Sequence, residues 1–448
     1  MVAAGRVFLK SFALLGALAA LSRVSTMQSM GDTIRVLCEA SPLGSADLFP
    51  AARSGIHRVI VEFLRCARQF DDLTIGVTSF ASLYERFGVA QELAEQGLPL
   101  GWHAASFPDK AWLVSLVGTI RSAHRAAFEA PRWSPRRVVC SAARRGLESL
   151  VPLSAPVGSW DLVHCFHNAQ RIPTALVGVP RIVTVHDLIP LRFPELCDAR
   201  YVAVRREEFA RLDPQRDTVV AISETTRNDL VDLIGFPLER IRVIPNGVSS
   251  CFGPTSDQIR ADMRKQLQLG LGRYLLTLCT LEPRKNLARA VDTFVALADE
   301  YPDLSLVIAG GGGWLPAGIA IPERLAHRCV MPGRVPDALL PALFGDASVF
   351  LFPSRYEGFG LPPLEAMACG TPVVSSPGGA LGEVIGDAGM LCDPDDPEEW
   401  VRSCRELLSD AGRAQQLTQS GIARAKQFSW ASCLEKHRDL YAEVLSEH

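Results

Sequence analysis

Pro353-Ser-Arg-Tyr-Glu-Gly-Phe-Gly-Leu-Pro-Pro-Leu-Glu-Ala-Met-Ala-Cys-Gly-Thr-Pro372 follows an apolar run, Val349 to Phe352, that reads as a buried strand. Gly358 and Gly360 punctuate a loop, and Pro362 and Pro363 suit the first turn of a helix, where a missing N–H costs nothing. The helix predicted from there ends at Gly370, and Thr371-Pro372 leads into a second strand, Val373 to Ser375. Strand, glycine loop, helix and strand make half of a doubly wound α/β unit, with the loop at the carboxyl end of its strand. Open parallel sheets bind ligands at that edge. Two carboxylates frame the loop, Glu357 and Glu365, with seven residues between them.

Such a loop sets an anion site beside a polyol site. The amides of Gly358, Phe359, Gly360 and Leu361, at a helix start, offer N–H donors to a phosphate. Glutamate carboxylates only accept hydrogen bonds, which suits sugar and ribose hydroxyls. Each acid alone also has a plain reading: Glu365 complements the helix dipole and Glu357 is a solvated loop residue. The pair inside one glycine loop is more specific. Arg284 and Lys285 supply a second cue, standing just before Asn286, which reads as the N-cap of a helix Leu287–Glu300. Cations there oppose the helix dipole, so two of them suggest a diphosphate held between. Exposed basic residues are the plain alternative.

A chain of 448 residues exceeds the usual reach of one core, so at least two domains are expected. With 48% hydrophobic and 21% charged residues, large-scale disorder is excluded. A net charge of −3 gives no electrostatic case for a nucleic-acid partner. The twelve cysteines are scattered without a C-x-x-C spacing, the pattern of reduced, buried thiols in a cytosolic protein. His164, His167 and His186 have no Cys or Asp at ligand spacing, so no metal is expected. In residues 1–32, Arg6 and Lys10 precede an apolar run, Phe12 to Leu21, well short of the roughly 20 residues that span a bilayer. That segment reads as an extension or a helix lying at a membrane surface, with a signal peptide as the alternative.

Residues 33–250 carry apolar runs at 34–38, 73–77, 162–166, 182–185, 219–222 and 241–244, with a helix predicted from Ile56 to Phe70. Ser249 to Ser256 reads as a linker. Residues 257–428 repeat the pattern at 274–278, 304–308, 328–331, 349–352, 373–375 and 390–392. A terminal helix in 429–448 lines up Leu434, His437, Leu440, Tyr441 and Val444. Short strands alternating with helices indicate parallel sheets covered on both faces.

The Glu357–Glu365 stretch resembles the E-x7-E signature of retaining glycosyltransferases of family 4, which have the GT-B fold. Thr280-Leu-Glu-Pro-Arg-Lys-Asn-Leu287 is similar to the family's donor-diphosphate loop, and Gly310-Gly-Gly-Gly-Trp314 to its next strand-end turn. Val243-Ile-Pro-Asn-Gly-Val248 resembles the approach to the hinge. Ser54-Gly-Ile-His-Arg58 resembles the amino-terminal glycine loop, and Val185-His-Asp-Leu-Ile-Pro190 the His-Asp segment.

This resemblance implies two facing Rossmann-like domains, an interdomain cleft and a C-terminal helix that crosses back to the N-terminal domain. By position, Lys285 and next Arg284 hold the diphosphate, Glu357 sits by the donor sugar and Glu365 by the ribose. His186 and Asp187 fall on the opposite wall, near sugar or acceptor hydroxyls; a satisfied core histidine is the plain reading of His186. Gly55 allows close backbone approach, and His57 stands where a second glycine is frequent. Ser223 and Glu224 read as an ordinary helix cap.

The implied reaction moves a sugar, retaining its configuration and using no metal or cofactor, from a nucleoside diphosphate to a hydroxyl of a polysaccharide, lipopolysaccharide or glycolipid. Similarity to bacterial mannosyltransferases implies a mannosyl donor. Asp393-Pro-Asp395 has the letters of a metal-binding D-x-D but lies in a proline-rich turn. The basic section from about 100 to 150, with Arg132, Arg136, Arg137, Arg144 and Arg145, reads as a helical insertion near the acceptor side; its arginines meet anionic lipid headgroups or form a solvated face. The expected location is the cytoplasm, either free or peripheral at the inner face of the membrane. Alternatives are a sugar phosphorylase or epimerase on the same fold, or a non-catalytic sugar-nucleotide-binding protein. No G-x-G-x-x-G opens a helix after a strand, which disfavours a nicotinamide dehydrogenase.

Overall fold

Apolar runs too short for helices build two separate parallel sheets in the computed structural model. It describes residues 33–44, 55–80, 82–99, 159–167, 171–311 and 321–448, with scattered positions between 117 and 143. The 1–32 extension, Arg132, Arg136, Arg137, Arg144, Arg145 and Gly312 to Trp314 lie outside the described residues. The first sheet comprises β1 (Ile34–Glu39), β2 (Leu73–Thr78), β3 (Leu162–Cys165), β4 (Arg181–Val185), β5 (Asp217–Ala221) and β6 (Ile241–Val243). The second comprises β7 (Tyr274–Leu278), β8 (Ser305–Ala309), β9 (Cys329–Gly333), β10 (Val349–Phe352), β11 (Val373–Ser375) and β12 (Met390–Leu391).

Strand order is what locates the site. The first sheet runs β2-β1-β3-β4-β5-β6 and the second β12-β11-β10-β7-β8-β9. In each, the order reverses direction once: between β1 and β3, and between β7 and β10. Loops that leave such adjacent strands in opposite directions open a crevice at their carboxyl ends. In the second sheet those loops are Thr280 to Lys285, after β7, and Pro353 to Gly360, after β10.

The residues of β10 show why the strands need no polar face. Phe350 and Phe352 pack into one core layer with Phe344, Leu364 and Met367. Val349 and Leu351 pack into the other with Leu275, Phe294 and Trp400. A strand buried on both faces has no use for hydrophilic alternation.

After the second sheet the chain returns to the first. Val248 N–H donates to the Phe428 carbonyl at 2.9 Å, so the outgoing and returning crossings run side by side. A Cβ at Gly247 would lie 2.3 Å from the Trp430 nitrogen, which fixes glycine there. The helix Trp430–Ser446 then buries Trp430, Leu434, Leu440, Tyr441 and Val444 against Val36, Cys38, Phe63 and Phe166 of the first lobe. Each such side chain stabilises the docking by about 1.5–3 kcal/mol. His164, at the end of β3, bonds Tyr441 Oη at 2.7 Å and Thr184 Oγ1 at 2.8 Å, and burial keeps its pKa well below the usual range. It is a core histidine. All twelve cysteines are free and most are buried. No helix among the described residues is long and apolar enough to cross a membrane.

Candidate active site

The anion that answers Arg284 and Lys285 is Glu357. The two cations sit in a short 3-10 turn, Pro283–Lys285, after β7. Lys285 Nζ lies 2.5 Å from Glu357 Oε1, and Arg284 Nη1 lies 3.0 Å from Glu357 Oε2. Ser354 Oγ donates to the same Oε1 at 2.5 Å, and Arg284 Nε is bonded to Glu282 at 2.8 Å. Asn286 departs from the expected cap. It adopts φ 50°, ψ 43°, a left-handed conformation that asparagine tolerates, and its side chain donates to the Pro394 carbonyl at 3.2 Å instead of capping the helix Leu287–Leu297.

Burial alone would raise the Glu357 pKa, but Lys285 and Arg284 outweigh it and hold the carboxyl at about 2. Burial likewise opposes the charge on Arg284, and Glu357, Glu282 and Asp187 reverse that and raise its pKa. At neutral pH Glu357 is therefore a hydrogen-bond acceptor and not an acid. Its folded-state pKa lies below the ordinary 4.5, so its stabilisation is complete above that value and is lost as the pH falls towards 2. Glu357→Gln is accordingly expected to lose more stability at pH 7 than at about pH 3, the window that the shift defines. Urea unfolding at both pH values measures this, and equal losses would refute the ionised pairing.

The loop that carries Glu357 is held from behind. Ala380 N–H donates to the Glu357 carbonyl at 2.9 Å, and Gly379, at φ +64°, approaches so closely that a Cβ would lie 2.3 Å from that oxygen. Gly360, at φ +116°, precedes the helix Leu361–Ala368. Phe359 is buried, with its ring 5.8 Å from that of Phe428. Its side chain is a core anchor, so only its backbone is suited to a ligand. Leu361 packs against both lobes' cores.

The opposite wall presses on the same loop. A Cβ at Gly358 would lie 2.1 Å from the His186 carbonyl oxygen. Ser223 Oγ donates to the Gly358 carbonyl at 2.7 Å while accepting from Thr226 N–H at 3.0 Å, so it clamps the loop as well as capping its helix, Glu224–Ile234. Reading it only as a cap is incomplete. The backbone N–H groups of Glu224 and Thr225 donate to the Glu383 carboxylate at 2.9 and 3.2 Å, an acid of one lobe capping a helix of the other. Tyr356 Oη donates to Asp229 at 2.7 Å, and Arg192 completes that cluster at 2.8 Å.

His186 is buried and donates from Nε2 to the Phe166 carbonyl at 2.8 Å. Burial lowers its pKa, so the ring is neutral and Nδ1 carries the lone pair. Asp187 accepts from Ile189 N–H at 3.1 Å, and its charge raises the pKa of Arg284 across the cleft.

Three expected members lie apart from this cluster. His57 meets Glu92 of its own lobe at 3.0 Å. Gly55 begins the helix Gly55–Ala67, and an added Cβ there would meet no atom of the described residues within 4 Å. Glu365, buried, is bonded through Oε1 to Arg58 of the other lobe, not to the basic pair. Ser354, Arg58, Tyr356 and Asp229 escaped sequence reasoning. Ser354 and Arg58 stand inside motifs that were already legible, whereas Asp229 carries no local signal. Asp395 is paired with Arg355 at 2.6 Å, so Asp393-Pro-Asp395 is a loop feature. Among the described residues, no three His, Cys, Asp or Glu side chains gather as a metal site.

Residues 88–250 match the family model "Glycosyltransferase Family 4", and residues 259–424 match "Glycosyl transferases group 1". The chain belongs to glycosyltransferase family 4 and is a glycosyltransferase. It is 33% identical over 267 residues to the O-antigen chain mannosyltransferase B of Escherichia coli, covering 58% of this chain and 69% of that one. It is 30% identical over 313 residues to a D-inositol 3-phosphate glycosyltransferase of Acidothermus cellulolyticus, covering 65% and 68%. A second such enzyme, from Salinispora tropica, is matched over 65% of its length. The fold is GT-B. The crystal structure of Anabaena HepE in complex with UDP-glucose superposes with a TM-score of 0.59 at 18% identity, covering 93% of this chain and all of that one. WaaG, a glycosyltransferase involved in lipopolysaccharide biosynthesis, superposes at 0.54 and 17% identity, covering 91% and 99%.

Proposed function

We propose that this glycosyltransferase moves a mannosyl group, with retention, from a nucleoside-diphosphate donor to a hydroxyl of a cell-surface polysaccharide, lipopolysaccharide or glycolipid. In this reading the lobe of residues 33–250 serves the acceptor, residues 257–428 hold the donor, and residues 429–448 tie the lobes together. The observation that carries the donor site is the meeting of Arg284 and Lys285 at Glu357, on the crevice loops of the second sheet. A buried cation pair is suited to the charge that builds on a departing diphosphate. Glu357, ionised and held by Ser354, is placed to accept from a sugar hydroxyl. The amides of Gly358 to Leu361 add donors at a helix start. His186, neutral, offers Nδ1 to a hydroxyl, with Asp187 beside it. The 33% identity to an O-antigen mannosyltransferase supports the mannosyl donor and the cell-surface acceptor.

Incubation of the purified protein with a panel of nucleotide sugars, read by thermal shift and slow donor hydrolysis, tests this reading. A response to a mannosyl donor above the other sugars is expected. Glu357→Gln is expected to lower turnover more than nucleotide affinity; equal losses would place the acid away from the sugar.

A further inference from the structure

Three consecutive residues after β10 touch Arg284, and the middle one reaches the other lobe. Arg355 N–H donates to the Arg284 carbonyl at 2.8 Å, while its side chain turns outward to Asp395. Glu357 Oε2 meets the Arg284 guanidinium at 3.0 Å. Between them, the Tyr356 carbonyl accepts from Arg284 Nη1 at 3.3 Å, and the Tyr356 side chain crosses to the first lobe. There its hydroxyl donates to Asp229 Oδ2 at 2.7 Å, on the helix Glu224–Ile234. Asp229 Oδ1 accepts from Arg192 Nη1 at 2.8 Å, at the end of the helix Ile189–Arg192. That guanidinium also lies 5.4 Å from the centre of the Tyr356 ring, and the Phe193 ring meets the same ring edge to face at 5.2 Å.

Asp229 is buried, and burial keeps its pKa above the usual carboxylate range, against the pull of Tyr356 and Arg192. Removing a partner from a buried carboxylate is costly, so the first lobe presents a fixed acceptor that a phenol fills and a phenylalanine would not. The Tyr356 carbonyl and the Glu357 nitrogen share one rigid peptide plane. Anchoring the tyrosine therefore limits the rotation of the peptide that touches Arg284 and carries Glu357.

We propose that Tyr356 is a positioning residue for sugar transfer: anchored through its hydroxyl on Asp229 and Arg192 of the first lobe, it holds the peptide that sets Arg284 and Glu357 against the donor. This inference rests on the donor-site reading above. It adds that the arrangement of the basic turn and its acid is complete only when the two lobes are together, because the tether that fixes it ends on the acceptor lobe.

Tyr356→Phe tests this, because the ring keeps its contacts with Arg192 and Phe193 and only the hydroxyl goes. Hydrolysis of UDP-glucose, UDP-mannose and GDP-mannose reads turnover, and titration calorimetry with UDP and GDP reads nucleotide affinity. Turnover of whichever donor the wild type cleaves should fall by about tenfold or more, the size of a hydrogen bond to a charged group. Nucleotide affinity should stay within about threefold, since misplacement is felt chiefly in the transition state. Asp229→Asn leaves one acceptor oxygen for two donors and should show the same split. The double variant should be slower than the slower single variant by no more than about twofold, as expected for two ends of one tether. Thermal unfolding identifies the folded variants, and should Tyr356→Phe not fold, Asp229→Asn carries the same expectation. A folded Tyr356→Phe that keeps more than about a third of wild-type turnover would overturn the positioning role and leave the donor site standing. Equal losses of turnover and affinity, or additive losses in the double variant, would do the same. If the wild type neither binds a nucleotide nor cleaves a donor, the donor-site reading fails and this inference with it.

Discussion

Lys285→Ala should cut turnover by about 10²- to 10³-fold, the cost of removing a preorganised group from the charge that develops in a transition state. The ammonium reaches Glu357 at 2.5 Å and is largely enclosed beside the Phe352 ring. In so dry a place a cation acts on a diphosphate more strongly than it does in water. Loss of Lys285 also leaves Glu357 with Arg284, at 3.0 Å, and the Ser354 hydroxyl, at 2.5 Å. Nucleotide affinity should fall less than turnover, because the bound diphosphate keeps Arg284 and the loop amides, while the leaving charge loses its nearest ammonium. Lys285→Arg should recover only part of the rate, since a wider, planar guanidinium must displace the packing around the compact ammonium. Steady-state kinetics with the preferred donor, alongside calorimetric affinity and thermal unfolding, give the comparison. A folded alanine variant within about threefold of wild-type turnover would show that Lys285 merely neutralises Glu357.

The basic turn was legible because cations at a helix start conflict with a purely structural role, and the acids because both fall in one glycine-loop motif. What they contact was not. Glu365 and Arg58 are 307 positions apart, a pairing that no local pattern encodes. His57 shows the same limit. Its place in a glycine-loop motif gives no sign of its partner, Glu92, which lies on another helix of the same lobe. Asn286 was misjudged because capping preference and tolerance of left-handed φ favour the same residue, and only the backbone tells them apart. Strands were clear wherever a run was apolar on both faces, as in β10, although their ends shifted by a residue or two. Strand order was not legible, since it depends on long-range pairing. Yet that order, not any strand's existence, sets Arg284 and Glu357 on neighbouring loops.

Gly358→Ala should show that the closed arrangement of the lobes is the working one. The glycine does not have a left-handed φ, so its requirement is space and not backbone freedom. An added Cβ would meet the His186 carbonyl oxygen at 2.1 Å and the Asp187 Cβ at 2.8 Å. The first of these is backbone at the end of β4, which cannot rotate aside as a flexible side chain would. Relief must come from parting the lobes, which would also stretch the bonds from Ser223 and Thr226 to the Gly358 carbonyl. A shift of about 1 Å at a reacting centre costs on the order of 10²-fold in rate, and turnover should fall by at least that much. Binding of the nucleotide diphosphate, which in our reading depends on residues of the second lobe, should weaken only a few-fold, on the order of 1 kcal/mol. Kinetics and calorimetry on the variant separate the two, and small-angle scattering should register a wider molecule. An alanine variant that scatters like wild type and keeps more than half its turnover would mean that the contact is incidental, and the cross-cleft clamp would lose its role in placing Glu357.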